Sequence, residues 1–149
     1  MIAVDTDVLA IHHLFVWDRR RKTNELFLEA TRAESRGTTV HNLLELAGLF
    51  AIAGQSHRVE TLLEKYLRSR DLAVIFPKIE TDWGERVSIV TDYIKRGLSY
   101  GDALVARVLE EAVVGTFVTW NKKHFNGKVK ARVLTPPEYL EENAPRAAP

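Results

Sequence analysis

The feature that most constrains the fold is an alternation, sustained over 149 residues, of short β-type runs with longer helical patterns. The β-type runs fall at residues 2–5, 38–41, 73–76, 116–119 and 132–134, and Pro77 closes the third. Helical patterns fill the intervals. They cover residues 7–16, 23–35 (with Gly37 as a C-terminal stop), 43–53, 56–69 opened by Ser56, 81–96, and 99–112. Pro136 opens a last short helix, because proline suits a first helical turn. Strands that alternate with helices form parallel sheets covered on both faces. The expectation is an α/β, doubly wound, mostly parallel sheet of four or five strands between helices. One domain spans residues 1–142, and residues 143–149 read as a disordered tail. In open sheets of this kind, sites form beyond the carboxyl ends of the strands. That rule directs attention to Asp5, to Asn121, and to the helix starts near Glu45 and Asp102.

Composition narrows the chemistry. There is no cysteine, which removes disulfides and thiolate metal sites. Hydrophobic residues make up 46% and charged residues 28%, ordinary values for a soluble globular domain. The best apolar run, residues 43–53, is too short to cross a bilayer and carries Glu45. The opening Met-Ile-Ala-Val-Asp does not read as a signal peptide, so a cytoplasmic protein without membrane contact is expected. A formal net charge of +1 neither demands nor excludes a nucleic-acid partner.

Each acid taken singly has a structural explanation. Asp5 and Asp7 can cap the first helix, Glu45 lies three residues after Asn42, and Asp102 lies three after Ser99, both spacings of a capping box. The joint pattern asks for more. Glu45 is the one charged side chain in an eleven-residue apolar run, and Asp102 precedes Ala-Leu-Val-Ala. Burying an unpaired carboxylate costs several kcal/mol. Several acids aimed at one sheet edge repel unless cations lie between them. Oxygen donors without cysteine or paired histidines suit Mg²⁺ or Mn²⁺, ions that serve phosphoryl transfer.

These segments resemble the motifs of the PIN-domain nucleases. Val4-Asp5-Thr6-Asp7-Val8-Leu9 is similar to the family's first motif, and Asn42-Leu43-Leu44-Glu45-Leu46 to its second. The stretch from Ser99 to Ala106 is similar to the third, with Asp102 as its acid. The stretch from Phe117 to Phe125 is similar to the fourth, and the run from Val133 to Leu140 to the C-terminal end. The resemblance implies a metal-dependent endoribonuclease of the VapC-type toxin class. It implies Asp5, Glu45, Asp102 and Asn121 as catalytic and metal-holding residues with Mg²⁺ or Mn²⁺ as cofactor. A metal-bound hydroxide would attack the phosphodiester and leave 5′-phosphate and 3′-hydroxyl ends. RNA is the implied substrate, an antitoxin the implied partner, and a homodimer the implied assembly.

The fourth motif departs from the family in carrying Asn121 where many members have Asp, which removes a charge from any second metal position. Asp7 stands close enough in sequence to restore one, or to cap the first helix. Thr6 and Thr119 are expected to hydrogen-bond the acids. Arg19, Arg20 and Arg21, beside Trp17, together with Lys122 and Lys123, are the candidate RNA contacts. His124 and Phe125 are expected to pack. Two other readings stand beside the nuclease. Asp5-Thr6-Asp7 also resembles the nucleophile motif of haloacid dehalogenase phosphatases, but Leu9 and the lack of a downstream acidic pair oppose it. A PIN fold that binds RNA or protein with weak or no catalysis is the alternative that Asn121 favours.

Overall fold

The computed structural model describes residues 1–144, so residues 145–149 of the expected tail lie outside the described residues. Five strands, β1 (Ile2–Val4), β2 (Arg36–Thr39), β3 (Ala73–Ile75), β4 (Thr116–Val118) and β5 (Arg132–Leu134), form one sheet in the order β3-β2-β1-β4-β5. Every adjacent pair is parallel. The helices are α1 (Thr6–His13), α2 (Arg21–Ala30), α3 (Val40–Ile52), α4 (Val59–Arg68), α5 (Trp83–Ile94), α6 (Tyr100–Glu111), α7 (Lys122–Phe125) and α8 (Pro136–Glu142). This is the doubly wound α/β architecture that the alternation implies.

Strand order explains where the chemistry can lie. The chain moves outward from β1 through β2 to β3, then returns to the other side of β1 for β4 and β5. Between β1 and β4 the winding reverses, and crevices open at the carboxyl ends of strands at such a switch. Alternation along β1 builds both cores. Ile2 and Val4 join Val8, Leu9, Phe27, Leu43, Leu46 and Phe50 on one face. Ala3 joins Val105, Leu109, Phe117, Phe125 and Val133 on the other.

Several boundaries differ from the sequence expectation. The first helix begins at Thr6, capped by Asp5. The second ends at Ala30, well before Gly37, so Gly37 does not stop it. Gly37 is instead a β2 residue between Ala3 and Ala73, where an added Cβ would meet Ile75 Cδ1 at 2.9 Å. Its missing side chain serves close packing over the sheet. The segment opened by Ser56 begins as a 3-10 turn at Ser56–Arg58 before α4. The four-residue α7 has no counterpart in the expectation, because one turn carries too little periodicity to read. The connection from β3 to α5 is tied down by the buried Arg107 of α6. Its guanidinium pairs with Glu80, pairs with Glu111 at 2.8 Å and donates to the Lys78 carbonyl. A buried guanidinium with this many acceptors is compensated for its lost hydration.

Candidate functional site

Asp5 is the first residue beyond β1, and its side chain is nearly buried. As the N-cap of α1 it accepts from the Thr6 backbone N–H at 2.7 Å. It also accepts from Asn42 Nδ2 at 2.8 Å and from the Thr119 hydroxyl at 2.7 Å. Three elements meet at this one carboxylate: β1, the first turn of α3, and the end of β4. Despite three donors, the Asp5 carboxyl is pushed up to about 8. Burial is the first cause, and the neighbouring charges of Asp7 and Glu45 add to it.

Asp7 is not the helix cap. Its Oδ2 reaches across to the segment after β4. There it accepts from the Trp120 and Asn121 backbone N–H groups at 2.9 and 3.2 Å, the Thr119 hydroxyl at 3.1 Å and the Asn121 amide at 3.3 Å. Its Oδ1 is buried with no hydrogen-bond partner. Burial raises the Asp7 carboxyl to about 6 against the pull of those donors. Thr119 donates toward both acids, so its hydroxyl links Asp5 and Asp7.

Glu45 enters from α3, where its Oε2 accepts from the Thr6 hydroxyl at 2.7 Å. Here the sequence argument needs correction, because Glu45 is exposed and not buried in an all-apolar helix. The outer face of α3 carries Leu44 and Ile52 at 55% and 85% exposure, so the apolar run reflects an uncovered face as well as a core. The cost of burying carboxylates falls on Asp5 and Asp7 instead.

Asp102 lies in the first turn of α6, with Ser99 as N-cap accepting from the Asp102 backbone N–H. Its partly exposed carboxylate faces His124 Nδ1 of α7 at 3.4 Å, a contact longer than a good hydrogen bond. No hydrogen bond links it to Asp5, Asp7 or Glu45. Among the described residues, no three His, Asp or Glu side chains stand together as a group that could hold a metal ion. Asn121, exposed, turns its amide nitrogen to Asp7.

The residues nevertheless fit a hard divalent cation in kind. The donors are carboxylate, hydroxyl and amide oxygens. Two of the carboxylates are desolvated, and Asp7 Oδ1 is a buried acceptor without a donor. Asn42 is the member that sequence reading missed. Fully buried, it donates to Asp5 and Thr6, and its backbone N–H is accepted by Thr39, the true cap of α3. The available signal was a threonine three residues ahead of it. His124 was expected only to pack, yet it is exposed and its Nδ1 lies 3.4 Å from the Asp102 carboxylate.

The basic candidates divide. Arg21 donates to the Ile11 and His12 carbonyls and so closes the end of α1. Arg20 pairs with Asp18 and lies 5.5 Å from the Trp120 ring centre. Lys122 pairs with Glu138. Arg19 and Lys123 are exposed and form no ion pair among the described residues. A cleft of about 370 Å³ between α1, α2 and α4 is lined by His12, His13, Arg36 and Tyr66, but none of the acids above borders it.

No protein-family model matches the chain, and no curated protein does. Solved structures do. A chain of FitAB bound to a DNA fragment matches with a TM-score of 0.64 at 14% identity, over 91% of this chain and 95% of that one. A sarcin–ricin-loop-cleaving VapC toxin of Mycobacterium tuberculosis matches with a TM-score of 0.58 at 21% identity, over 78% and 87%. A chain of a toxin–antitoxin complex from Klebsiella pneumoniae matches with a TM-score of 0.58 at 22% identity, over 91% and 98%. The chain therefore has the PIN-like α/β fold, shared over most of its length with these three structures.

Proposed function

We propose that the chain is a divalent-metal-dependent endoribonuclease, the toxin of a toxin–antitoxin pair. The observation that carries this reading is the pair Asp5 and Asp7. Asp5 is buried and Asp7 half-buried at the topological switch point, both have raised carboxyl pKa values, and Asp7 leaves a buried oxygen unpartnered. Structural scaffolding does not call for two desolvated acids side by side, whereas a cation site does. Asp5 and Asp7 would hold Mg²⁺ or Mn²⁺ on one side, and Glu45 from α3, Asp102 from α6 and Asn121 from the end of β4 would have to close in to complete the site. A bound divalent ion supplies a water of lowered pKa and stabilises the oxygen that leaves phosphorus.

The chain's own residues do the positioning. Asn42, Thr6 and Thr119 hold the carboxylates of Asp5 and Glu45 in place. The Trp120 and Asn121 N–H groups fix Asp7 Oδ2, while Oδ1 stays buried without a partner. His124 beside Asp102 can carry a proton near the scissile phosphate. In hydrolysis the oxygen of a water molecule bonds to phosphorus as the P–O3′ bond breaks; one water proton ends on the 3′ oxygen, and the water oxygen stays on the 5′-phosphate.

RNA as substrate and an antitoxin as partner are supported by the shared fold, since similar structures include a sarcin–ricin-loop-cleaving toxin and a toxin–antitoxin complex. A homodimer is supported by exposed apolar side chains on α3 and α5, Leu44, Ile52, Trp83 and Val87. No described helix is long and apolar enough to cross a membrane, and a cytoplasmic site of action agrees with that.

The test is cleavage of RNA by the purified protein in Mg²⁺ or Mn²⁺, with and without chelator, beside Asp102→Asn. Chelator-sensitive cleavage that Asp102→Asn abolishes, with an unchanged thermal midpoint, is the expected result. Binding of RNA without metal-stimulated cleavage would replace the reading with the binding module that the uncharged Asn121 favours.

A further inference from the structure

We propose that the turn joining α1 to α2 is a stacking platform for a single-stranded stretch of the nucleic acid. Trp17 would take a base on its face, and Arg19 and Lys22 would take the adjoining phosphates. The proposal rests on the nuclease reading for its substrate, but it concerns different residues.

Trp17 is 97% exposed, although indole is among the most costly side chains to leave in water. It is not on a frayed segment. The Phe15 N–H donates to the Ala10 carbonyl at 3.1 Å, that of Asp18 to Phe15 at 3.0 Å, and that of Arg21 to Asp18 at 3.0 Å. The Asp18 carboxylate grips the Arg20 guanidinium through two hydrogen bonds of 2.8 and 2.9 Å. A tight, cross-braced turn thus presents the ring outward, directly after Phe15 and Val16 in the chain, which are themselves about half exposed.

The turn is fastened to the rim of the acid site. The Arg20 guanidinium lies over the Trp120 ring. The Trp120 indole N–H donates to Asn24 at 2.9 Å, and its backbone N–H donates to Asp7 at 2.9 Å. Trp17 is therefore three residues from a side chain that stacks on the residue holding Asp7.

Charge decides what the exposed ring faces. Of the run Arg19-Arg20-Arg21-Lys22, Arg20 is neutralised by Asp18 and Arg21 is directed into helix carbonyls. Arg19 and Lys22 remain exposed and form no ion pair among the described residues. An exposed aromatic face on a turn that also carries free cations is complementary to a polyanion with unstacked bases, as in sequence-tolerant single-strand grooves. An apolar protein helix would gain from the ring but not from the cations. A base inside a duplex is already stacked on both faces, so the ring discriminates against duplex.

The experiment measures binding, in chelator, of a fluorescent oligonucleotide of about twelve uridines and of an RNA duplex of equal length. The parent should prefer the single strand. Trp17→Ala should weaken single-strand binding about 5- to 150-fold, the effect of losing one stacked base, with little change for duplex. Trp17→Phe should restore most of the affinity. Arg19→Ala and Lys22→Ala should each flatten the salt dependence by about 0.7 in log–log slope. Thermal midpoints of all variants should match the parent, since these side chains are exposed. The proposal is overturned if Trp17→Ala binds the single strand like the parent, the result expected of a protein-docking tryptophan. Equal losses for strand and duplex, or no single-strand binding by the parent, overturn it as well. Metal-stimulated cleavage with Trp17-independent binding would sink this proposal alone. Trp17-dependent binding without cleavage would sink the nuclease reading alone.

Discussion

Asp5→Asn should stabilise the metal-free protein, and by more as pH rises. The Asp5 carboxyl titrates near 8 in the folded chain, against an ordinary value of 3.8. Between pH 5 and 7 the folded state therefore holds a proton at Asp5 that the unfolded state has released. Stability is lost as pH rises through this window, at about 1.4 kcal/mol per pH unit for one proton. Over two units that is about 3 kcal/mol, or roughly 6–12 °C in thermal midpoint for a chain of this size. Asparagine removes the proton without removing the geometry. Its amide oxygen can keep accepting from Thr6 and Asn42, while its NH₂ faces Thr119, whose hydroxyl can then donate to Asp7 alone. His13, pushed down to about 4, tilts the profile the opposite way below its ordinary value, so the quantity to measure is the difference between parent and variant. The assay is urea unfolding in chelator at half-unit steps from pH 5 to 8. The variant's advantage should grow by about 1.4 kcal/mol per unit up to pH 7. Saturating Mg²⁺ should reduce that advantage, because only the carboxylate binds the ion well. Parallel profiles for parent and variant would refute the reasoning, since they would mean that Asp5 is ionised in the folded state at neutral pH.

Asn121→Asp sets a new charge 3.3 Å or so from Asp7. It should tighten Mn²⁺ binding measured by calorimetry and lower the thermal midpoint in chelator at neutral pH. Asn42→Ala strips donors from Asp5 and Thr6 in a fully buried position. It should cost about 2 kcal/mol in denaturant unfolding and raise the metal concentration needed for cleavage. Gly37→Ala forces a Cβ to 2.9 Å from Ile75 and 3.1 Å from the Ala73 carbonyl. It should cost about 1–3 kcal/mol in the same assay, whether or not metal is present.

The order of strands and helices was legible in the sequence because apolar periodicity and caps are local signals. Ser99, Asp82 and Pro136 mark helix starts where they stand. Asp5 at a strand end followed from the same signals. What local signals could not decide is which distant groups share an acceptor. Asp5 and Thr119 are 114 positions apart, and they meet because β4 inserts beside β1 and not beside β3. That insertion also sorted the two acids of Asp5-Thr6-Asp7. Asp5 kept the extended backbone of a cap, while Asp7, two residues on, was carried by the helix toward the N–H groups after β4. Glu45 reads as buried in a linear apolar run, yet it is exposed because burial depends on which helix face another element covers. Arg20 and Arg21 look interchangeable with Arg19 in a basic run, but helix geometry turned one to Asp18 and the other into the carbonyls of α1. Residue types settled the chemistry available to this chain. Only packing settled which side chains are desolvated, which are already paired, and which remain free to meet a substrate.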